Sequence, residues 1–284
     1  MQGRTEVSGL TVAQVMLRYL ELEGATDLFG IPGGALMNIL DELKKQDQTF
    51  TYHVCRQETG AAYIAHGYAR VSGKLGVVVV TSGPGATNAL TGSMNAHAAH
   101  VPLLTITGEV AEEYFGRGYL QEGIDSSLDV NGVYRNAVGW SEVIVGPESF
   151  ERLFEAALRA AFHSRRQAVH VSVPNDVAVE QIDDLDLPVD TENYRADSPF
   201  VDRAGVRAAI AAIATAQRPL LMLGNGCRAP LQDDALATAF TEAVEAMSVP
   251  VMTSPDAKGV FPETHPWSLR NYGMAGCEWP KYYM

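Results

Sequence analysis

Cysteine is scarce in this chain of 284 residues: Cys55, Cys227 and Cys277 lie far apart, and no CxxC spacing occurs. Such a set builds no disulfide framework and points to a reducing compartment. Long apolar runs are missing too. No stretch reaches the roughly 18 apolar residues of a membrane span, and the opening MQGRTEVSGL has no apolar segment of the secretory kind. The expected location is the cytoplasm, with no membrane partner. Positive charge is in deficit. Against 34 Asp and Glu stand 21 Lys and Arg, a net charge of −13. That surface repels a phosphate backbone, so nucleic acid is not an expected partner. What the chain does have is apolar residues, 46% against 19% charged. This excludes a disordered, collagenous or coiled-coil chain, and the length suits roughly two domains.

Strand and helix signals alternate. Thr11 is an N-cap candidate for a helix over 12–23, with Val12, Val15, Met16, Tyr19 and Leu20 at helical spacing and Gly24 just past its end. Strands are expected at 27–30, 51–54, 76–81, 102–107, 140–145 and 168–173. Helices are expected near 35–45, 57–72, 87–99 and 147–164. Runs such as GVVVVT (76–81) are apolar without alternation, as in a parallel sheet buried on both faces. The expected fold is α/β: a doubly wound, parallel six-stranded sheet over residues 1–180.

The acidic stretch 181–199, with two prolines and the run Asp183, Asp184, Asp186, reads as a solvated linker. Beyond it, 200–284 reads as part of a second α/β domain. It has helices over 202–215 and 233–247, strands at 219–223 and 250–253, and an irregular tail from 254. So small a sheet covers its faces poorly and leaves an open apolar edge. Either the tail caps it or another chain completes it.

Two glycine-rich turns, Ile31-Pro32-Gly33-Gly34 and Ser82-Gly83-Pro84-Gly85, follow two of the strands. Both belong at the carboxyl end of the sheet, where such folds open a ligand crevice. Neither is a phosphate loop of the P-loop kind, because no Lys-Ser or Lys-Thr follows. Glu58 opens the helix after strand 51–54. Taken alone it is a first-turn glutamate that complements the helix dipole. At the sheet's carboxyl edge it is also a carboxylate facing the same crevice.

The ordered set GIPGGA, RQETGAAYIAHGYARVSGKLGVVVVTSGPGATN, VPLLTITGEV, GYLQEG and AVHVSVPNDV resembles the amino-terminal half of thiamine-diphosphate-dependent enzymes. The group is that of acetolactate synthase, pyruvate oxidase and pyruvate decarboxylase. AQRPLLMLGNG and PVMTSPDAKGVFPETHP resemble the start of that family's central domain. The resemblance implies that residues 1–180 bind the cofactor's aminopyrimidine ring, with Glu58 as the catalytic carboxylate at ring nitrogen N1′. It further implies that Gly83, Pro84, Gly85 and Asn88 lie near the pyrimidine. Ile31, Pro32, Gly33 and Gly34 then approach the reacting centre, and Gln121 faces the substrate. The implied chemistry makes or breaks a C–C bond beside the carbonyl of a 2-oxo acid, by decarboxylation and carboligation.

There are departures. Gln57 and Thr59 stand where the synthases commonly have His and Gln, and Ile31 replaces a frequent Tyr or Ala, so the substrate can differ from two pyruvates. No Gly-Asp-Gly stretch, the family's anchor for diphosphate and Mg2+, occurs in the 284 residues. The expectation is therefore a split enzyme of α2β2 type or higher, in which a second subunit completes the central domain and holds the diphosphate and Mg2+. A chain cut short is the competing explanation. A decarboxylase or C–C lyase of the same family is the alternative activity.

Other classes remain open on the sequence. Gly224-Asn225-Gly226-Cys227-Arg228-Ala229 fits G-x-G-x-x-A with Glu245 about 20 residues on, a dinucleotide-site pattern, but Pro230 follows directly. FAD on the central domain is possible by family analogy and otherwise unsupported. His97 and His100 are spaced i, i+3 without a third metal ligand nearby. Cys55 reads as a buried strand cysteine. A non-catalytic scaffold is the third class, against which stand Glu58 and both glycine turns.

Overall fold

The computed structural model describes residues 3–125, 127–195 and 201–284. The chain forms two compact units, Met1–Ser198 and Pro199–Met284, each with its own apolar core. No described helix is long and apolar enough to cross a membrane.

The first unit begins with β1 (Arg4–Val7), β2 (Leu10–Thr11) and α1 (Val12–Leu22), followed by β3 (Asp27–Ile31), α2 (Met37–Lys45), β4 (Thr51–Val54) and α3 (Glu58–Ser72). Then come β5 (Gly76–Val80), α4 (Pro84–Ala98), β6 (Leu103–Glu109) and α5 (Val130–Arg135). It closes with β7 (Trp140–Val143), α6 (Pro147–Ala161), β8 (Ala168–Pro174), β9 (Gln181–Ile182) and β10 (Leu185–Pro188). Six strands form one sheet in the order β4-β3-β5-β6-β8-β7, every pair parallel. The expected doubly wound α/β sheet is present. Its two faces show in β5, where Val77 and Val79 enter one core cluster and Val78 and Val80 the other. Every residue of β5, β6 and β8 is buried, which is why β5 reads as an unbroken apolar run. On one face Tyr19 of α1 packs against Phe154 of α6 at 5.6 Å between ring centroids. Burial of such rings stabilises by about 1.5–3 kcal/mol each.

Local signals explain the helix starts. Thr11 caps α1 with Gln14 in a reciprocal capping box. The helix expected from 87 begins at Pro84, in the N1 position, after Gly83 at φ +51°. Proline's fixed φ suits that position, so the glycine turn is itself the helix N-terminus. A further helix, α5, lies in the polar stretch before β7, where no element was expected.

Two expectations are corrected. Residues 181–199 were expected to be a linker, yet β9 and β10 fall within them and pair antiparallel with β2 and β1. Ile182, Leu185 and Leu187 are buried in the first unit's core. Their alternation was masked by the acids between them: Asp183 and Asp184 are exposed and Asp186 is half-buried. The end of that stretch, 196–199, lies outside the described residues. In the second unit, α7 (Arg203–Thr215), β11 (Leu221–Leu223), α8 (Asp234–Met247) and β12 (Val251–Thr253) appear as expected, but the tail is not irregular. It supplies β13 (Ser268–Asn271), parallel to β12, and α9 (Trp279–Tyr283). The tail thus covers the sheet edge that the sequence left open. Helix α7 has no buried residue, and Val206 and Ile210 are about half exposed.

Candidate active site

The chain passes from β3 outward to β4 and then back across β3 to β5, so the strand order reverses between β3 and β5. Outside the carboxyl ends of strands at such a reversal lies the usual ligand crevice of open α/β sheets. The two glycine turns leave from these two ends. They touch: a Cβ on Gly33 would lie 2.5 Å from Thr81 Cβ, so only a bare backbone crosses there.

Glu58 is the first residue of α3, behind Gln57 in extended conformation. Its half-buried carboxylate accepts a hydrogen bond from Asn88 Nδ2 to Oε2 at 3.1 Å. Oε1 lies 3.6 Å from where a Cβ on Gly85 would stand. Thr59 Oγ1 donates to Asn88 O at 2.5 Å, a second tie between the two helix starts. Between the helices, Thr81 Oγ1 and Ser82 Oγ are buried with no hydrogen-bond partner in the structure. Unpaired buried hydroxyls cost free energy unless something satisfies them. The set therefore offers one ionisable acceptor beside a glycine turn packed on Thr81, with two buried unpaired hydroxyls at the end of β5, and such a carboxylate suits a nitrogen heterocycle with a polar edge. Nothing comparable suits a metal: among the described residues no three His, Cys, Asp or Glu are grouped to hold an ion.

The residues singled out from sequence converge unequally. Glu58, Gly83, Pro84, Gly85 and Asn88 share the crevice with Gly33. Ile31 ends β3, while Pro32 and Gly34 are exposed beside it. Gln121 is exposed, at a left-handed φ of +61°. Its backbone lies on Gly83, where an added Cβ would meet Gln121 O at 2.7 Å. Three contributors were missed. Thr81 and Ser82 carried no signal beyond following a strand. Glu109 did carry one, an acid ending a strand of otherwise uncharged residues. It is 1% exposed, and its Oε1 accepts from Val110 N at 2.8 Å and Gly123 N at 3.1 Å. Burial, with Glu122 adding repulsion, pushes its pKa up to about 7.

The rival motifs lose their geometry. The Gly224–Gly226 turn leads into short 3₁₀ turns at Asn225–Cys227 and Pro230–Gln232, and a helix starts only at Asp234. A dinucleotide turn feeds its helix directly. His97 and His100 do not share a helix, because α4 stops at Ala98; His100 Nε2 accepts from Arg165 Nε at 2.9 Å. Cys55 is half-buried and follows β4 rather than lying in it.

Fold and site together define a parallel α/β protein with a carboxylate presented on a glycine-lined crevice at the strand-order reversal. Residues 10–128 match the family described as thiamine pyrophosphate enzyme, N-terminal TPP binding domain. Residues 206–282 match thiamine pyrophosphate enzyme, central domain. The chain is similar to a probable acetolactate synthase large subunit of Methanocaldococcus jannaschii, at 33% identity over 95% of this chain and 44% of that protein. It is similar also to an acetolactate synthase of Arthrospira platensis, 34% identical over 97% of this chain and 47% of that protein. A third relative is the mitochondrial acetolactate synthase catalytic subunit of Saccharomyces cerevisiae, 31% identical over 96% and 39%. The chain spans less than half the length of these relatives. It belongs to the thiamine-pyrophosphate-dependent enzyme family, of which it carries the N-terminal domain and central-domain sequence.

Proposed function

We propose that this chain supplies the aminopyrimidine side of a thiamine-diphosphate active site, with Glu58 as the carboxylate that bonds ring nitrogen N1′. The enzyme it serves makes or breaks a C–C bond beside the carbonyl of a 2-oxo acid, in the manner of an acetolactate synthase. The supporting observation is the hydrogen bond from Asn88 to Glu58, with Glu58 Oε1 beside Gly85 at the strand end where the Thr81 and Ser82 hydroxyls lack partners. When bound, the cofactor supplies the electron sink for carbanion chemistry. This chain's residues hold and orient it. Asn88 fixes one oxygen of Glu58 and leaves the other for a ring N–H. Gly33 and Gly85 leave room for Thr81 to pack against both turns, and the unpaired Thr81 and Ser82 hydroxyls remain to satisfy polar ring substituents. Gln121 and Ile31 stand where substrate specificity is set.

Diphosphate and Mg2+ fall to other polypeptide, since no Gly-Asp-Gly stretch occurs in the 284 residues. A second subunit carrying that anchor, in an α2β2-like assembly, is the arrangement proposed. The exposed apolar residues Tyr63 and Ile64 on α3, Met94 on α4, and Val206 and Ile210 on α7 favour burial against further chains. The test is to measure turnover of 2-oxo acids by the chain alone and with a polypeptide bearing the diphosphate-binding domain. Activity that needs both and disappears on Glu58→Gln is expected. Full activity with Glu58→Gln overturns the assignment, and full activity of the isolated chain overturns the division between subunits.

A further inference from the structure

Glu58 is one of two carboxyl groups that bracket the Gly83–Gly85 turn; Glu109 is the other. Glu58 stands on the Gly85 side. On the opposite side a Cβ added to Gly123 would lie 2.6 Å from Glu109 Oε2 and 3.2 Å from Gly83 N. Gly123 is thus wedged between the carboxyl and the turn. Its N–H and that of Val110 both reach Glu109 Oε1, so one oxygen ties the two ends of the 110–123 loop together. Val130 N, at the start of α5, donates to Gly123 O at 2.8 Å and fixes the same residue from the other side. Within the loop, Glu122 receives Tyr119 N at 3.0 Å and Gly116 N. Gln121 is held between these two carboxylates, its left-handed backbone resting on Gly83. A non-glycine residue pays for that conformation and keeps it only where its surroundings impose it.

We propose that Glu109 is the positioning residue that clamps the 110–123 loop onto the Gly83 turn and thereby presents Gln121 to the crevice. The relevance of Gln121 rests on the reading of the crevice given above; the clamp itself does not. The clamp is also pH-sensitive. Among the described residues the charged group acting on Glu109 is Glu122; Pro174, opposite it on β8, and Val130 of α5 bring no charge. Opening the loop returns the carboxyl to water, where its pKa falls. The closed loop therefore holds its proton more tightly and is favoured at low pH, and it loosens as pH rises through about 7.

Hydrogen exchange of the full chain, read by mass spectrometry on peptides spanning 110–123, tests this without any need for turnover. At pH 6, Glu109→Ala strands two buried N–H groups, and exchange in that segment rises about tenfold or more while β5, β6 and β8 keep their protection. Glu109→Gln keeps an acceptor oxygen and retains the protection. After correction for intrinsic rates, the parent's segment opens about tenfold or more between pH 5 and 8, and that of Glu109→Gln does not. Should Glu109→Ala fail to fold, Gly123→Ala, whose methyl collides with Oε2, opens the same segment with Glu109 intact. The clamp is refuted if Glu109→Ala exchanges like the parent or Glu109→Gln opens as far as Glu109→Ala. It is refuted equally by parent-like exchange in Gly123→Ala. None of these outcomes involves thiamine diphosphate, so they separate failure of the clamp from failure of the cofactor reading.

Discussion

Asn88 donates its side-chain amide to Glu58 Oε2 across 3.1 Å, joining residues 30 apart in sequence near the N-terminal ends of two helices. The bond leaves the carboxylate with one committed oxygen and one free to meet a ligand. Asn88→Asp puts two carboxyls at this distance, where repulsion raises the apparent pKa of the pair. Thiamine diphosphate affinity of the assembled enzyme is expected to fall about tenfold and to become steeper in pH between 5 and 8. Asn88→Ala weakens binding without the added pH dependence. Titration calorimetry at several pH values separates the two.

Glu58→Gln keeps shape and hydrogen-bonding reach but removes the negative charge. If the carboxylate acts on a ring nitrogen, turnover drops by about two orders of magnitude or more. The thermal midpoint shifts little, because a half-buried first-turn residue contributes only about 0.3–1 kcal/mol through the helix dipole. Steady-state rates beside a melting curve give both numbers. A large loss of stability with a proportionate loss of rate would mark Glu58 as structural.

The central sheet was legible because burial on both faces leaves no ambiguity in runs such as Val77–Val80, and Thr11 announces α1 as its N-cap. That Glu58 opens a helix after a strand was legible from its place; the role proposed for it came from the family resemblance. The start of α4 was misplaced because Gly83-Pro84-Gly85 looks like a turn when read alone; only the φ values show that it opens a helix. The strands at 181–188 were hidden since Asp183, Asp184 and Asp186 dominate the composition while Ile182, Leu185 and Leu187 do the packing. The clamp at Glu109 was not legible at all. Its partners are backbone N–H groups up to 14 residues away, and only the folded loop brings them together.

Glu109 also makes a stability prediction. Its pKa stands at about 7 against 4.5 for an ordinary glutamate. Between those values the folded state holds the proton and the unfolded state does not, so stability is full below about 4.5 and is lost as pH rises through 7. Glu109→Gln, which never ionises, is expected to be more stable than the parent by about 2–3 kcal/mol at pH 8. At pH 4.5 the two should differ by less than about 1 kcal/mol. Urea unfolding at both pH values measures this. Equal differences at the two pH values contradict a buried titrating carboxyl.

His170 predicts the opposite limb. The ring is fully buried, with Thr107 Oγ1 at 2.9 Å from Nε2 and Ser141 Oγ at 2.8 Å from Nδ1. Ser141 donates its proton to Asn131 Oδ1, so Nδ1 carries the hydrogen and Nε2 accepts from Thr107. A neutral imidazole satisfies this arrangement; burial holds the pKa down at about 3. The unfolded state, at about 6.5, binds the proton first. Stability from this group is therefore complete above 6.5 and is lost as pH falls toward 3, at about 1.4 kcal/mol per pH unit. Its reach extends to the crevice. Tyr134 stacks on the ring at 4.0 Å and donates to Ala86 O at 2.8 Å, in the first turn of α4. His170→Gln is expected to cost about 2 kcal/mol at pH 7 and to flatten the acid limb, since glutamine has nothing to protonate. Melting curves from pH 4 to 7 decide it: a variant whose acid limb is as steep as the parent's shows that the pH dependence arises elsewhere.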